Sequence, residues 1–210
     1  MKKNNYIFII AFLIIIIGAI IYFTLFSNKE PSNNNSIGSR ISTNINFEST
    51  NAEIEQIQKE VQLATYSTQI KDNSPGRLTN IRITCGIING TIINPGQTFS
   101  FNEIVGQPTA ARGYQEAKII INHETEVGIG GGNCQVSSTL YNAVLAIPSL
   151  AVIERHEHGK DVTYVPQDKD AAVSYGSLDF KFKNNNNYKI KLNVVTDDKT
   201  ITTTIFKIED

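Results

Sequence analysis

The chain has 210 residues, 19 basic and 20 acidic side chains, a formal net charge of −1 and only two cysteines. Removing residues 1–30 takes away three lysines and one glutamate, so the remainder carries 16 basic against 19 acidic residues. That balance offers no basic field to hold nucleic acid by counterion release. One possible bridge is not the disulfide framework of a small secreted scaffold, and the length suffices for one core-bearing domain with an appendage.

The appendage comes first. Tyr6 to Phe26 is a 21-residue stretch without a charge, long enough for a helix to cross about 30 Å of hydrocarbon. Lys2 and Lys3 precede it, which predicts a cytoplasmic N-terminus and an extracellular remainder. A cleaved signal peptide is the alternative, disfavoured because no A-x-A-like site follows. Residues 1–27 are therefore expected to form a cytoplasmic tip and membrane anchor. The polar stretch 28–45 forms a flexible extracellular tether, and 46–210 form the domain.

Within the domain, Thr50 and Glu53 have capping-box spacing, and Ile54, Ile57, Val61 and Ala64 share a helical face, predicting a helix over 50–64. RLTNIRITCGII is ambiguous: Leu78, Ile81, Cys85 and Ile88 suit a helix, and the β-branched residues suit a strand. Helix is the preferred reading. Asn89-Gly90 and Pro95-Gly96 mark turns between short extended segments. Near the C-terminus, Leu178, Phe180 and Phe182, then Tyr188, Ile190, Leu192 and Val194, alternate with polar residues. A Thr/Ile-rich run follows, so three antiparallel strands with one buried face are predicted.

The stretch GIGGGNCQVSSTLYNAVL holds most of the candidate chemistry. With Asn133 as N-cap, Val136, Leu140, Ala143, Val144 and Ile147 fall on one helical face and Cys134 points away from it. A cysteine in the first turn of a helix meets unpaired N–H groups and the positive end of the dipole, which favours thiolate. The glycines permit close backbone approach, and the N–H groups around Gly131 to Gln135 suit an oxyanion. A small buried hydrophobe after a tight turn explains the same pattern.

A thiolate nucleophile requires a base, and the histidines are His123, His156 and His158. The last two are read on a strand, on one side with Val152 and Glu154, so that one reaches Cys134 while the other orients it or binds substrate. An exposed strand end is the alternative. His-x-His with a thiolate and an oxygen from Asp161 or Asp170 also resembles a metal ligand set, although no supporting spacing accompanies it. Cys85 reads as core, or as a bridge partner of Cys134. Arg77, Arg112 and Arg155 offer guanidinium forks for a peptide carboxylate. Tyr114, Tyr141 and Tyr164 suit a groove wall or core packing.

From about Arg77 to Tyr188 the chain resembles the VanW family. The matching pieces are GRLTNIRI, NGTIINPGQTFSFNEIVG, ARGYQEAKIIIN, GIGGGNCQVSSTLYNAVL, ERHEHGKDVTYVP and DAAVSYGSLDFKFKN, in that order. G-G-G-x-C-Q-V-S followed by R-H-x-H is far more restrictive than a lone glycine-rich loop. The departures are small: Asn133 stands at a commonly apolar position, Ser138 at a usual threonine, and Glu157 at a frequent proline.

The resemblance implies peptidoglycan L,D-transpeptidase activity, as assigned to some members. Cys134 would attack between the third and fourth residues of a stem peptide and pass the acyl group to another stem as a 3-3 crosslink. Water as acceptor would make a carboxypeptidase. The expected fold is α+β: an antiparallel sheet with a C-terminal three-strand meander beside a few helices, after one transmembrane helix. Cys134 is the expected nucleophile and His158 or His156 the base. Arg77, Arg155, Gly131, Gly132, Gln135, Ser137 and Tyr164 are the expected substrate-binding positions, with no metal and no cofactor. Stem peptides and the membrane are the expected partners. The rival reading is a non-catalytic module that binds wall peptide or a wall-active ligand in association with glycopeptide resistance.

Overall fold

The computed structural model describes residues 59–121, 124–159 and 162–209. The anchor, the tether, the first part of the expected helix (Thr50, Glu53, Ile54 and Ile57), His123 and Asp161 lie outside the described residues. No described helix is long and apolar enough to cross a membrane.

The described chain is a mixed α/β fold with antiparallel sheets and few helices. Its C-terminal hairpin follows directly from alternation. In β8 (Ile190–Thr196) Ile190, Leu192 and Val194 are buried, and in β9 (Thr200–Glu209) Ile201, Thr203, Ile205 and Ile208 are buried. These strands pair in register from Ile190↔Lys207 to Thr196↔Ile201.

β1 (Lys59–Gln69) pairs antiparallel with the far edge of β9. This corrects the helix expected over 50–64, at least from Lys59 onward. A bulge between Gln62 and Ala64 shifts the register, so the inward side changes phase and strand alternation is disguised in the sequence. Cross-strand pairs then reward pairing: Thr65 with Thr204 at 3.1 Å and Ser67 with Thr202 at 2.8 Å. The short β2 (Ile92–Ile93) closes the other edge, giving the order β1-β9-β8-β2.

The expected meander is corrected at its first strand. β7 (Lys181–Asn184) does not pair with β8. It is the centre of a second sheet between β3 (Thr98–Ser100) and β6 (Leu150–Glu154). The reason lies in the Asn run. Asn184 is fully buried, its amide donates to the Ile93 and Tyr188 carbonyls, and its Oδ1 accepts from Asn186. These bonds make a corner that carries the chain from one sheet to the other, not a hairpin turn. A third sheet is the hairpin of β4 (Glu116–Ile121) and β5 (Glu124–Ile129).

The preferred helical reading of RLTNIRITCGII is correct. α1 (Pro75–Ile88) begins with Pro at its first position, where no N–H is needed, and buries Ile81, Cys85 and Ile88. α2 (Phe101–Val105) is capped by Ser100, whose Oγ accepts from the Glu103 N–H. α3 (Asn133–Leu145) packs against α1, β1 and β9. Val136, Leu140, Ala143 and Val144 are fully buried there, as the periodicity requires. This central helix presents the candidate site at its N-terminus.

Candidate active site

α3 is entered through the glycine loop. Gly132, not Asn133, is the N-cap, at φ 115°, a conformation that side chains with a Cβ rarely adopt. Gly131 is required for a different reason: a Cβ there would lie 2.5 Å from the Lys118 carbonyl oxygen and 2.8 Å from the Ala117 Cβ. The loop is also tied down by Asn80, whose amide donates to the Gly131 and Gln115 carbonyls while its Oδ1 accepts from the Gln115 N–H.

Asn133 turns inward, away from the role of cap. Its Oδ1 accepts from the Thr84 hydroxyl at 2.7 Å, next to the Tyr114 hydroxyl. Cys134 is therefore the second residue of the helix. Its thiol is part-exposed and free, within 3.5 Å of the Val173 carbonyl. Ser138 pins the same turn, donating to the Cys134 carbonyl at 2.7 Å and accepting from the Ala171 N–H at 2.9 Å.

Of the two neighbouring histidines the structure brings His158 to Cys134: both border one small cavity, and the sulfur acts electrostatically on the imidazole. The two do not share a strand face, because β6 ends at Glu154 after a bulge. His156 makes a β-bridge to Ala172, and its Nε2 lies 2.9 Å from Glu154 Oε1, half-exposed in a cluster with Lys181. That Glu154 carboxyl is held down at about 2, chiefly by Lys181 and then by His156.

His158 is oriented by Asp170. One carboxylate oxygen accepts both the His158 backbone N–H at 2.7 Å and its Nδ1–H at 2.6 Å. This fixes Nδ1 as donor and leaves Nε2 as the basic nitrogen of the ring. Nε2 is 3.5 Å from the Tyr164 hydroxyl. The other Asp170 oxygen accepts from Arg155 Nη2 at 2.6 Å, and Arg155 Nε donates to the Asp170 carbonyl at 2.6 Å. Arg155 also pairs with Glu157 and lies over the Tyr141 ring.

The electrostatics follow from this packing. The His158 side chain is only 4% exposed. Burial works against its charge, yet hydrogen bonding and attraction to the Cys134 sulfur, and then to Asp170, hold it above the ordinary histidine value. Burial likewise opposes charge on Asp170, and the two His158 hydrogen bonds with the Arg155 charge outweigh it, so its carboxyl titrates below the usual range. Tyr164 is pushed well up, by burial first and by the Cys134 charge second. Burial alone pushes the Cys85 thiol up to about 12, and it is free and in the core.

Two cavities meet at Cys134. One, of about 190 Å³, is walled by Val105, Pro108, Ile119, Ile129, Val173 and Tyr175. The other, of about 60 Å³, includes Arg77, Lys118, His158 and Tyr164. Gly131 and Gly132 border the first, and Gly132 the second as well.

Several expected positions have other duties. Gln135 is buried, donating to the Gln69 carbonyl and the Thr68 hydroxyl while its Oε1 accepts from Arg77. Ser137 is fully buried, and its hydroxyl donates to the Ala171 carbonyl, so it faces the interior and not a substrate. Arg155 is spent on Asp170 and Glu157, which removes it as a ready carboxylate fork. Among the described residues no three His, Cys, Asp or Glu side chains are grouped to hold a metal.

Sequence reasoning missed Asp170 as the partner of His158, Arg155 as the anchor of Asp170, Lys118 and Asn80. Asp170 lies 12 residues beyond His158 across a loop, and no periodicity joins them. The one available signal was an acidic residue following R-H-x-H closely enough for that loop to fold back.

Comparison with known proteins places this site in a family. The model described as VanW like protein matches residues 76–206. A Bacillus subtilis relative called "Uncharacterized protein YoaR" is 43% identical over 129 residues, covering 61% of this chain and 42% of that protein. An Enterococcus faecalis relative called "Vancomycin B-type resistance protein VanW" is 30% identical over 135 residues, covering 62% of this chain and 49% of that protein. The matched region thus spans less than half the length of either relative. No solved structure matches the chain. The family match includes the glycine loop, Cys134, His158 and Asp170 together, and the chain belongs to the VanW family.

Proposed function

We propose that the domain is a cysteine acyltransferase of the cell wall, of the L,D-transpeptidase type, working on peptidoglycan stem peptides at the outer face of the membrane. The observation that carries this reading is the Cys134–His158–Asp170 arrangement at the meeting of two cavities. A thiol, an imidazole and a carboxylate in series are the parts of nucleophilic acyl transfer.

In this mechanism His158 takes the Cys134 proton and the sulfur attacks the carbonyl between the third and fourth stem residues. Of the first-turn N–H groups of α3, those of Asn133 and Gln135 already donate to the Gly130 and Gly132 carbonyls, so the Cys134 N–H is the donor assigned to the developing oxyanion. The C–N bond breaks, the leaving amine receives the proton from His158, and a thioester remains on Cys134. An amine of a second stem then attacks, His158 takes its proton and returns it to the sulfur, and a 3-3 crosslink is released. Asp170 keeps Nδ1 protonated throughout, and Arg155 keeps Asp170 in place.

The name of the Enterococcus faecalis relative favours a second reading: a wall-associated part in glycopeptide resistance, served by the same groove without turnover. One experiment separates the two. The full chain in detergent is incubated with disaccharide-tetrapeptides, and the products are analysed by mass spectrometry beside Cys134→Ala. Release of D-alanine with dimer formation, absent from the variant, is expected. Binding of fragments by both proteins without any product favours the second reading.

A further inference from the structure

We infer that the small cavity between Arg77 and Lys118 is a subsite for the free carboxylate at the C-terminus of the donor peptide, so that the bond attacked is the last one. This rests on the acyl-transfer reading and adds to it the end of the substrate that is recognised. Three observations carry it.

The first is composition. The cavity beside Cys134 presents Arg77, Lys118, His158 and Tyr164, and among the described residues no carboxylate borders it. The adjoining cavity, of about 270 Å³, adds Lys71 and, among the described residues, a single acid, Asp72. Asp72 is already committed, since its Oδ1 accepts from the Ser74 N–H. Arg77 and Lys118 contribute to holding its carboxyl below the usual range, after that hydrogen bond.

The second is an unfilled donor. Arg77 Nε is buried with no acceptor, while Nη2 donates to Gln135 Oε1 at 2.8 Å. Gln135 is itself fixed to β1. The guanidinium is therefore held in place by one arm, with a buried N–H short of an acceptor. A buried polar group without a partner costs free energy, and a carboxylate is the acceptor that an arginine fork matches best.

The third is distance. From the attacked carbonyl carbon to the next carboxyl carbon there are three bonds, of about 1.33, 1.46 and 1.52 Å, so the separation is no more than about 4 Å. A carboxylate on the leaving residue must therefore lie in one of the two cavities that Cys134 borders, and of these the small one holds Arg77 and Lys118. One further residue moves it about 3.8 Å onward, past the Arg77–Lys118 pair.

The test uses the full-length Cys134→Ala chain and a synthetic tetrapeptide ending in D-alanine, prepared as the free acid and as the C-terminal amide, with affinities measured by calorimetry. The free acid is expected to bind on the order of 10- to 100-fold more tightly, the range of a hydrogen-bonded charge. Adding Lys118→Gln should erase most of that difference, and Lys118→Arg should restore it. Lys118 is exposed, so these variants spare the fold, whereas Arg77 variants disturb Gln135. Equal affinities, binding of neither peptide, or a preference untouched by Lys118→Gln overturns the subsite. A retained acid preference in a wild-type chain that never forms a thioester keeps the subsite and removes the acyl-transfer reading.

Discussion

Asp170→Asn is the perturbation that asks most of the site. Three hydrogen bonds from side chains or backbone converge on this carboxylate: His158 N–H at 2.7 Å, His158 Nδ1 at 2.6 Å and Arg155 Nη2 at 2.6 Å. Asparagine offers one acceptor oxygen. If it faces His158, its NH2 group points at the Arg155 guanidinium. If it faces Arg155, the NH2 group opposes the His158 donors and drives the imidazole into the wrong tautomer. Each hydrogen bond to a charged group contributes about 1.5–3 kcal/mol. With part of that retained, the net loss is about 2–4 kcal/mol, or roughly 5–15 °C in Tm for a chain of this size.

The pH dependence has a definite sign. Asp170 is lowered in the folded state, so its contribution is present above the unfolded carboxylate value of about 3.9 and lost as pH falls through the lower folded value. His158 is raised, so its contribution is complete below the unfolded histidine value of about 6.5 and lost as pH rises through the folded value. The difference between wild type and variant is therefore largest between about pH 4 and 6.5, and narrows above that window. Thermal melts from pH 4 to 9, read by circular dichroism, measure it. An equal Tm for both proteins across that range would refute the reasoning.

Other outcomes follow from the same geometry. Iodoacetamide near pH 7 should label Cys134 and leave Cys85 untouched in the folded chain, because Cys85 is 2% exposed and its thiol is pushed up to about 12; peptide mapping reads the sites. His158→Ala should slow labelling of Cys134 at least tenfold, a loss of general-base assistance, whereas His156→Ala should leave the rate unchanged. Gly132→Ala places a Cβ 2.8 Å from Ile81 Cγ1 at φ 115° and should destabilise by about 1–3 kcal/mol in chemical denaturation. Arg155→Ala should lower stability and, by freeing Asp170, shift the pH profile of Cys134 labelling; Arg155→Lys should recover only part, since a lysine cannot span both Asp170 acceptors.

What the sequence reveals here follows what repeats within it. The α3 stripe from Val136 to Val144, the β8–β9 hairpin and the buried Cys85 are written in local period, and all three are found in place. β1 escaped because a one-residue bulge reverses its inward side at Leu63. β7 escaped because Asn184 spends its side chain on a corner between sheets, and an Asn run reads as a turn whichever strands it joins. At the site, the cysteine and its glycine loop were legible as a motif. The choice of His158 over His156 was not, since it depends on Asp170 folding back across a loop. Arg155 shows the same limit: an arginine beside a motif reads as a substrate fork, and only the tertiary fold reveals that a carboxylate already occupies it.

The most direct test of acyl transfer at Cys134 is the intact mass of the full chain after brief mixing with a stem tetrapeptide. The account predicts an adduct equal to the peptide minus D-alanine. It should map to Cys134, be absent from Cys134→Ala, and be released by hydroxylamine as thioesters are. An unchanged mass in the wild-type chain, under conditions where the peptide demonstrably binds, would contradict it.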